Sequence, residues 1–401
     1  MSIAPDVVSA AAPPAAAPPI VPAAAEPAPA AAAPAPQVHV PVFTGSGKEY
    51  FRIWVINLLL SLATLGIYSA WAKVRRLQYF DRNTRLAGAC FDFRGDPRAI
   101  LRGRILAFVL VVAYQYAFGF SLQVGAAVMV FLMLAMPWLL RGALRFRLSN
   151  TQYRGLWLGF GGGVGAAYLA YLPPLAVFLL PSVLLAIFID QPALASLPFL
   201  LLLAWPLMHG RARAYQQRHL LFGDQGARYT LSSWRFYRPY LIAGIVAFGV
   251  ALAIGIVAAI VGGVILAMLK KDSPGAAFTT LLPAVLGVLF VYIGYLMAGP
   301  YMQARIGNLV WSNTGFPGVR IRSTLPAKGL MLLQTRNALL TLLTLGLYRP
   351  FAVVAVHRFR LQHVEIAFDE GFEQAMARAA QGRRNAAGDG ASDALGIDLS
   401  W

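Results

Sequence analysis

The chain has 401 residues, of which 58% are hydrophobic and only 12% charged, about half of the ~25% charge an ordinary soluble domain carries. With a mean hydropathy of +0.62, this excludes a soluble globular protein, which needs far more polar surface. The formal net charge is +18, nearly all of it Arg, which suits phosphates, carboxylates and, beside a membrane, anionic lipid headgroups.

Residues 1–41 are Ala and Pro with almost no charge. Frequent Pro forbids a helix and favours extended, solvated chain, so a disordered tail is expected. It has neither a basic start nor an apolar core before a cleavage site, so it does not read as a signal peptide. From Val42 the composition changes. Gly45-Ser46-Gly47-Lys48 lacks the four-residue spacer of a phosphate loop, and Glu49 follows the Lys. A turn ahead of a helix is expected there.

The next stretch, Thr64 to Thr84, sets the pattern for the chain: an apolar helix ends in Gly and Tyr, a basic aromatic segment follows, and Asn-Thr closes it. Long apolar segments then lie at about 104–120, 122–140, 164–189, 192–209, 240–269 and 278–299. They form three close pairs, with short turns near Gly119–Gln123, Asp190–Pro192 and Lys270–Gly275. Several runs reach the ~18 residues of a membrane span. The segments between pairs, 71–104, 141–160, 210–238 and 300–328, are rich in Arg. Lys and Arg stay on the cytoplasmic side of bacterial membranes, so these connections are expected to be cytoplasmic.

Two repeats run through the chain. Lys48–Tyr68 and Lys328–Tyr348 align without a gap: Lys48 matches Lys328, Asn57 matches Asn337, and LATLGIY matches LLTLGLY. A second signature is Asn83-Thr84 with Gly88, Asn150-Thr151 with Gly155, and Asn313-Thr314 with Gly318. Thirteen residues before each Asn stand Ala70, Pro137 and Pro300; Pro206 and Pro350 stand likewise before His219 and His363, marking two degenerate copies. The Pro or Ala is expected where a buried helix meets the interface, with Asn-Thr ending the basic extension and starting a turn. After each turn, alternating stretches such as Cys90–Arg94, Leu156–Leu158, Tyr229–Leu231, Val319–Arg322 and Val364–Ile366 are expected to pair into a small cytoplasmic sheet.

Six spans return the chain to the side it left. The last apolar stretch, between Arg336 and Arg349, is too short for a ~30 Å core. The fold class expected is therefore a mainly α-helical membrane protein: six paired transmembrane helices, two re-entrant or interfacial end helices (spanning in an eight-span alternative), and short cytoplasmic strands. The domain plan is a tail at 1–41, a repeat-built membrane domain at 42–370 and a flexible tail at 371–401.

The motifs FTGSGKEYFRIWVINLLL, TLGIYSAWAKVRRLQYF, NTRLAGACFDFRGDP and TLGLYRPFA resemble the YjgN-like family of bacterial inner-membrane proteins over roughly residues 42–370. The resemblance implies a multi-pass inner-membrane protein; the Arg of the last segment makes a cytoplasmic C-terminus the expectation. It implies no activity, because the family is of unknown function. The third copy departs from the pattern, with Phe222-Gly223-Asp224 where Asn-Thr would stand.

Cys90 is the only cysteine, the five His lack metal-ligand spacing, and no GxSxG or carboxylate pair suited to acid–base work is present. Asp92 and Asp96, flanked by Arg94 and Arg98, read as a surface salt-bridge cluster. No cofactor, metal or enzymatic activity is expected. The residues expected to meet anions or lipid headgroups are Arg75, Arg76, Arg141, Arg145, Arg211 and Arg305. The candidate intramembrane polar residues are Asn57, Asn337 and Gln115, as helix glue or a polar lining. Gly159, Gly161, Gly163 and Gly165 read as sites of close helix approach. Two functions compete: transport of an anionic or amphipathic solute, or a lipid-headgroup-binding platform with an Arg-rich rim. The bilayer and its anionic lipids are the expected partners, nucleic acid is not, and a protein partner or homo-oligomer stays open.

Overall fold

The computed structural model describes residues 37–187, 197–268 and 297–369, together with Gly287 and Gly294. The expected C-terminal tail, most of the N-terminal one, the turns near 190 and 270–275, and most of the segment 278–299 lie outside the described residues.

Short strands form two sheets that follow one another along the chain as a circle open at two junctions. In chain order they are β1 (Gln37–His39), β2 (Val42–Phe43), β3 (Thr84–Leu86), β4 (Ala89–Phe93), β5 (Thr151–Tyr153) and β6 (Leu156–Phe160). Then follow β7 (Leu220–Phe222), β8 (Gln225–Gly226), β9 (Arg228–Tyr229), β10 (Thr314–Phe316), β11 (Val319–Ser323) and β12 (Val364–Phe368). One sheet has the order β2-β3-β4-β5-β6-β7-β8 and the other β1-β12-β11-β10-β9. The chain itself joins them, at Val40-Pro41 between β1 and β2 and at Ala227 between β8 and β9, although among the described residues no strand pairing bridges either junction. Leu86, Tyr153 and Leu156 of the first sheet meet Val319 and Phe368 of the second in one buried core. Tyr153 donates its hydroxyl to the Leu86 carbonyl at 2.7 Å, which satisfies the one polar atom this ring brings inside. Side chains from both sheets thus fill the space between them.

The five alternating stretches expected from sequence all contain strand. The expectation missed their partners, because Thr84, Thr151 and Thr314 open strands instead of turns. The tight turns come three residues later: Ala87-Gly88 and Arg154-Gly155 have φ of 44°/78° and 49°/78°, the two left-handed residues of a two-residue hairpin turn. β1 lies in the segment read as tail; it pairs with β12 at the edge of its sheet.

Helix pairs rise from this circle. They are α1 (Gly47–Ala63) with α2 (Ser69–Arg82), α3 (Pro97–Phe120) with α4 (Leu122–Ser149), and α5 (Val164–Ile187) with α6 (Trp205–Arg218). The last two are α7 (Tyr237–Met268) with α8 (297–311), and α9 (Ala327–Leu343) with α10 (Arg349–Leu361). The second member of each pair returns to the strands. These returning helices contact one another in a ring, through separate apolar clusters joining α2 to α4, α4 to α6, α6 to α8, α8 to α10 and α10 to α2. Ala70, Pro137, Pro206, Pro300 and Pro350, the positions thirteen before each closing residue, are all buried within the ring of helices.

One local geometry closes all five returning helices. Asn83, Asn150 and Asn313 each donate Nδ2 to the carbonyl four residues back at 2.8 Å. His219 and His363 place Nδ1 against the same carbonyl at 2.8 and 2.7 Å. A carbonyl only accepts, so each Nδ1 carries the proton. These bonds satisfy carbonyls that a helix end leaves without partners.

α1 with α2, and α9 with α10, double back on themselves. Tyr79, near the end of α2, donates its hydroxyl to the Ser46 carbonyl before α1 at 2.8 Å, so the two helices run antiparallel. In α9, Asn337 Nδ2 donates to the Ala352 carbonyl of α10 at 3.4 Å. Both turns use a Leu-Gly pair with φ of 50°/90° at Leu65-Gly66 and 48°/94° at Leu345-Gly346. The two hairpins pack together where the Phe51 and Phe351 rings stack at 5.6 Å. Gly47 permits that approach, since a Cβ there would lie 2.6 Å from Phe351 Cδ1. Ser46 and Glu49 cap α1 reciprocally, at 3.2 and 3.3 Å, as the reading of a turn ahead of a helix anticipates.

Three described stretches are long and apolar enough to cross a membrane, Pro97–Ala117, Gln123–Ser149 and Ser233–Val261, and Val164–Phe178 is a shorter apolar helix. The expected span 192–209 is not one α-helix where it is described: Leu197–Ala204 is 3₁₀ and α6 starts at Trp205. Gly159 and Gly161 lie against Leu221 of β7, and nothing lies within 4 Å of a Cβ at Gly163 or Gly165. These glycines fit strand packing, not the close helix approach expected. Asp92 does bind Arg82 and Arg94, at 2.7 and 3.0 Å, whereas Asp96 caps α3.

Candidate functional site

Between α2, α4, α9 and α10 lies a cavity of about 1140 Å³. Its walls follow from helix periodicity. On α2 the residues Lys73, Arg76, Leu77 and Phe80 recur at intervals of three and four and share one face. On α10 the same spacing brings Arg349, Val353, Val356, His357 and Arg360 to the opposite wall. α4 contributes Arg147. α9 and its turn contribute Asn337, Thr341, Leu342, Leu345 and Gly346. Leu345 is 94% exposed at the hairpin tip, and Arg349 follows it in the first turn of α10, so apolar and basic residues line the cavity side by side.

The charges do not balance. Lys73, Arg76, Arg147, Arg349 and Arg360 line the cavity with Asp81 as the one lining carboxylate. Asp81 is taken by Arg147, which reaches both carboxylate oxygens at 3.0 and 3.1 Å. Arg147 is further fixed by Thr151 at 3.1 Å and by the Phe93 ring at 4.9 Å. Arg360 donates to Gln303 Oε1. Among the described residues, no carboxylate pairs with Lys73, Arg76 or Arg349. Burial, with Arg104, Arg147 and Arg76 nearby, pushes the Lys73 ammonium below its ordinary pKa. Burial, reinforced by Arg360 and Arg76, lowers His357 to about 4, so His357 is neutral at pH 7; it meets the Thr84 hydroxyl at 3.3 Å. Such a group of unpaired cations beside apolar walls suits an anion that carries a hydrophobic part.

Arg360 also borders a second cavity of about 480 Å³, lined by His209, Arg213, Gln217, Tyr240 and Gln303 among others. His209 Nδ1 meets the Tyr240 hydroxyl at 2.8 Å, and Arg213 Nε meets His209 Nε2 at 3.1 Å.

Of the residues selected by sequence, Arg76 and Asn337 line the main cavity. Asn57 and Asn337 are buried at 7% and 4% exposure, and Oδ1 of each has no hydrogen bond among the described residues. Gln115 is exposed on α3. Arg75 lies over the Tyr68 ring at 5.8 Å. Arg141 donates to the Gly162 carbonyl at 2.6 Å, a structural bond. Arg145 and Arg211 are exposed. Arg305 lies over Tyr301 and lines a separate cavity. Sequence reasoning missed Lys73, Arg147, Arg349, Arg360 and His357. A helical-face count back from Asn83, Asn150 and His363 would have found them.

Residues 39–394 match the family described as bacterial protein of unknown function (DUF898). The chain is 24% identical to inner membrane protein YjgN of Salmonella typhimurium over 354 residues, covering 82% of this chain and 89% of that one. It is 29% identical to inner membrane protein YjgN of Escherichia coli O157:H7 over 129 residues, 30% of this chain and 31% of that one. No solved structure matches.

Proposed function

Starting from the premise that the chain belongs to the DUF898 family of bacterial proteins, whose curated relatives are inner membrane proteins, we propose that it binds an anionic amphiphile in the cavity between α2 and α10 and transports it. It acts as a binding and transfer protein, not an enzyme. The observation that carries this reading is the charge of the cavity: five cations against one carboxylate, itself already paired, beside the exposed Leu345 tip. A phosphate or carboxylate head replaces its water by the guanidinium donors, and its apolar part follows Leu342 and Leu345 toward lipid.

In this reading α3 and α4 cross the membrane as a pair, and α5 and α7 are further spans. The α1–α2 and α9–α10 hairpins are re-entrant. Their tips, with Leu65 and Leu345 at 96% and 94% exposure, enter the hydrocarbon. Their basic helices and the strands lie on the cytoplasmic side, a placement that the Arg distribution supports.

The test is a proteoliposome assay in which a fluorescent phosphatidylglycerol analogue moves between leaflets and is read by quencher accessibility. Wild type is expected to speed the movement, and a Lys73→Gln/Arg76→Gln/Arg349→Gln variant to lose most of it. Equal rates in wild type, variant and empty vesicles would refute transport. Binding without movement would leave the alternative, a lipid-headgroup-binding platform, which the exposed Arg145 and Arg211 favour.

A further inference from the structure

A second basic site lies at the foot of α7 and α8, apart from the central cavity, and neither reading depends on the other. Arg235, Arg238 and Arg305 line one cavity of about 630 Å³. No carboxylate lines it, and among the described residues none of the three pairs with one. The amide groups at its edge are already committed: Asn308 bonds Leu325 and Ser323, and Asn313 bonds the Leu309 carbonyl. The guanidinium groups are therefore the donors left for a ligand.

This cavity does not end at the charges. Ile242 and Tyr301 line it and also line an apolar groove that continues between α7 and α8. The groove is walled by Ala243, Val246, Ala247 and Val250 on one side and by Met297 and Ala298 on the other. From Ile242 to Val250 it runs about 12 Å at 1.5 Å per residue, close to the ~15 Å half-thickness of a hydrocarbon core. The small residues Ala243, Ala247 and Ala298 leave room along it. Arg305 is held over the Tyr301 ring at 5.8 Å, at the junction of charge and groove.

We propose that this feature is a binding site for one anionic glycerophospholipid, with its phosphate among Arg235, Arg238 and Arg305 and one acyl chain in the α7–α8 groove. Charge complementarity chooses the head, and the apolar continuation chooses a lipid over a soluble phosphate.

The full-length protein, delipidated in mild detergent, would be titrated with dioleoyl phosphatidylglycerol and bound lipids counted by native mass spectrometry. The Arg235→Gln/Arg238→Gln/Arg305→Gln variant is expected to lose one lipid, with affinity for it reduced about 100-fold if three interfacial cations act together. Ala247→Phe fills the groove and leaves the charges, so it is expected to weaken the dioleoyl lipid and leave glycerol 3-phosphate unaffected. Unchanged thermal unfolding in both variants shows that they fold. Equal retention of phosphatidylcholine and phosphatidylglycerol would overturn the proposal. So would glycerol 3-phosphate binding as tightly as the lipid, since the groove would then contribute nothing. A wild-type dimer that the variants convert to monomer would assign the surface to a second copy of the chain instead.

Discussion

Replacing Asp81 by Asn separates two effects that usually move together. Asp81 and Arg147 form a two-pronged ion pair, with side-chain exposures of 15% and 39%. Asn keeps one acceptor and removes the charge. The lost charge-assisted bond costs about 1–2 kcal/mol, the lower part of its range because Arg147 is partly solvated. Thermal unfolding should therefore fall by a few degrees. Ligand affinity should move the other way. Removing a negative charge ~8 Å from a bound anion is worth about 2 kcal/mol at an effective dielectric of ~20, and about half that after screening. Binding of an anionic lipid should tighten about five- to thirty-fold, while a zwitterionic lipid is unaffected. The assay is unfolding by intrinsic fluorescence together with lipid titration on the same sample. Lower stability with unchanged or weaker anion binding would refute the idea that the cavity holds the anion.

Other consequences can be checked separately. The His357 pKa is about 4 in the fold, below its ordinary value of 6.5, so the unfolded state binds its proton first. Its contribution to stability is complete above about pH 6.5 and declines as pH falls toward 4; His357→Gln should flatten that part of the stability–pH curve. Tyr153→Phe leaves the Leu86 carbonyl without its partner in the core of the strand circle and should cost about 1–3 kcal/mol, read by chemical unfolding. Gly47→Val would force a Cβ against Phe351 and should separate the two hairpins, lowering thermal stability more than Gly163→Val, where the space is open. A fluorophore attached at Leu345→Cys, with Cys90 replaced by Ser, should be quenched by lipids carrying a deep acyl-chain quencher. Quenching by iodide instead would place the hairpin tip in water.

Much of the frame was legible because membranes impose simple rules. Apolar length marked α3, α4 and α7, and the Asn-Thr spacing marked the helix ends that Asn83, Asn150 and Asn313 close with one shared bond. The degenerate copies were legible too, since His219 and His363 offer Nδ1 where Asn offers Nδ2. The strands were half visible. Asn-Thr is a turn signal, yet the left-handed φ that makes each turn belongs to Ala87-Gly88 and Arg154-Gly155. The cavity was less legible. Which Arg faces inward depends on the rotation of a helix and on its neighbours, neither of which composition records. Arg141 carries the same charge as Arg147, but one holds a backbone carbonyl and the other lines the cavity.

The central claim is that an anionic amphiphile sits between α2 and α10. A phosphatidylglycerol bearing a photoreactive diazirine on its acyl chain, crosslinked in the membrane and mapped by peptide mass, tests it most directly. The account predicts adducts concentrated at Leu342, Leu345, Val353 and Val356, and their loss when Lys73, Arg76 and Arg349 are replaced by Gln. Adducts spread evenly over the lipid-facing sides of α3, α4 and α7, and unchanged in that variant, would contradict it.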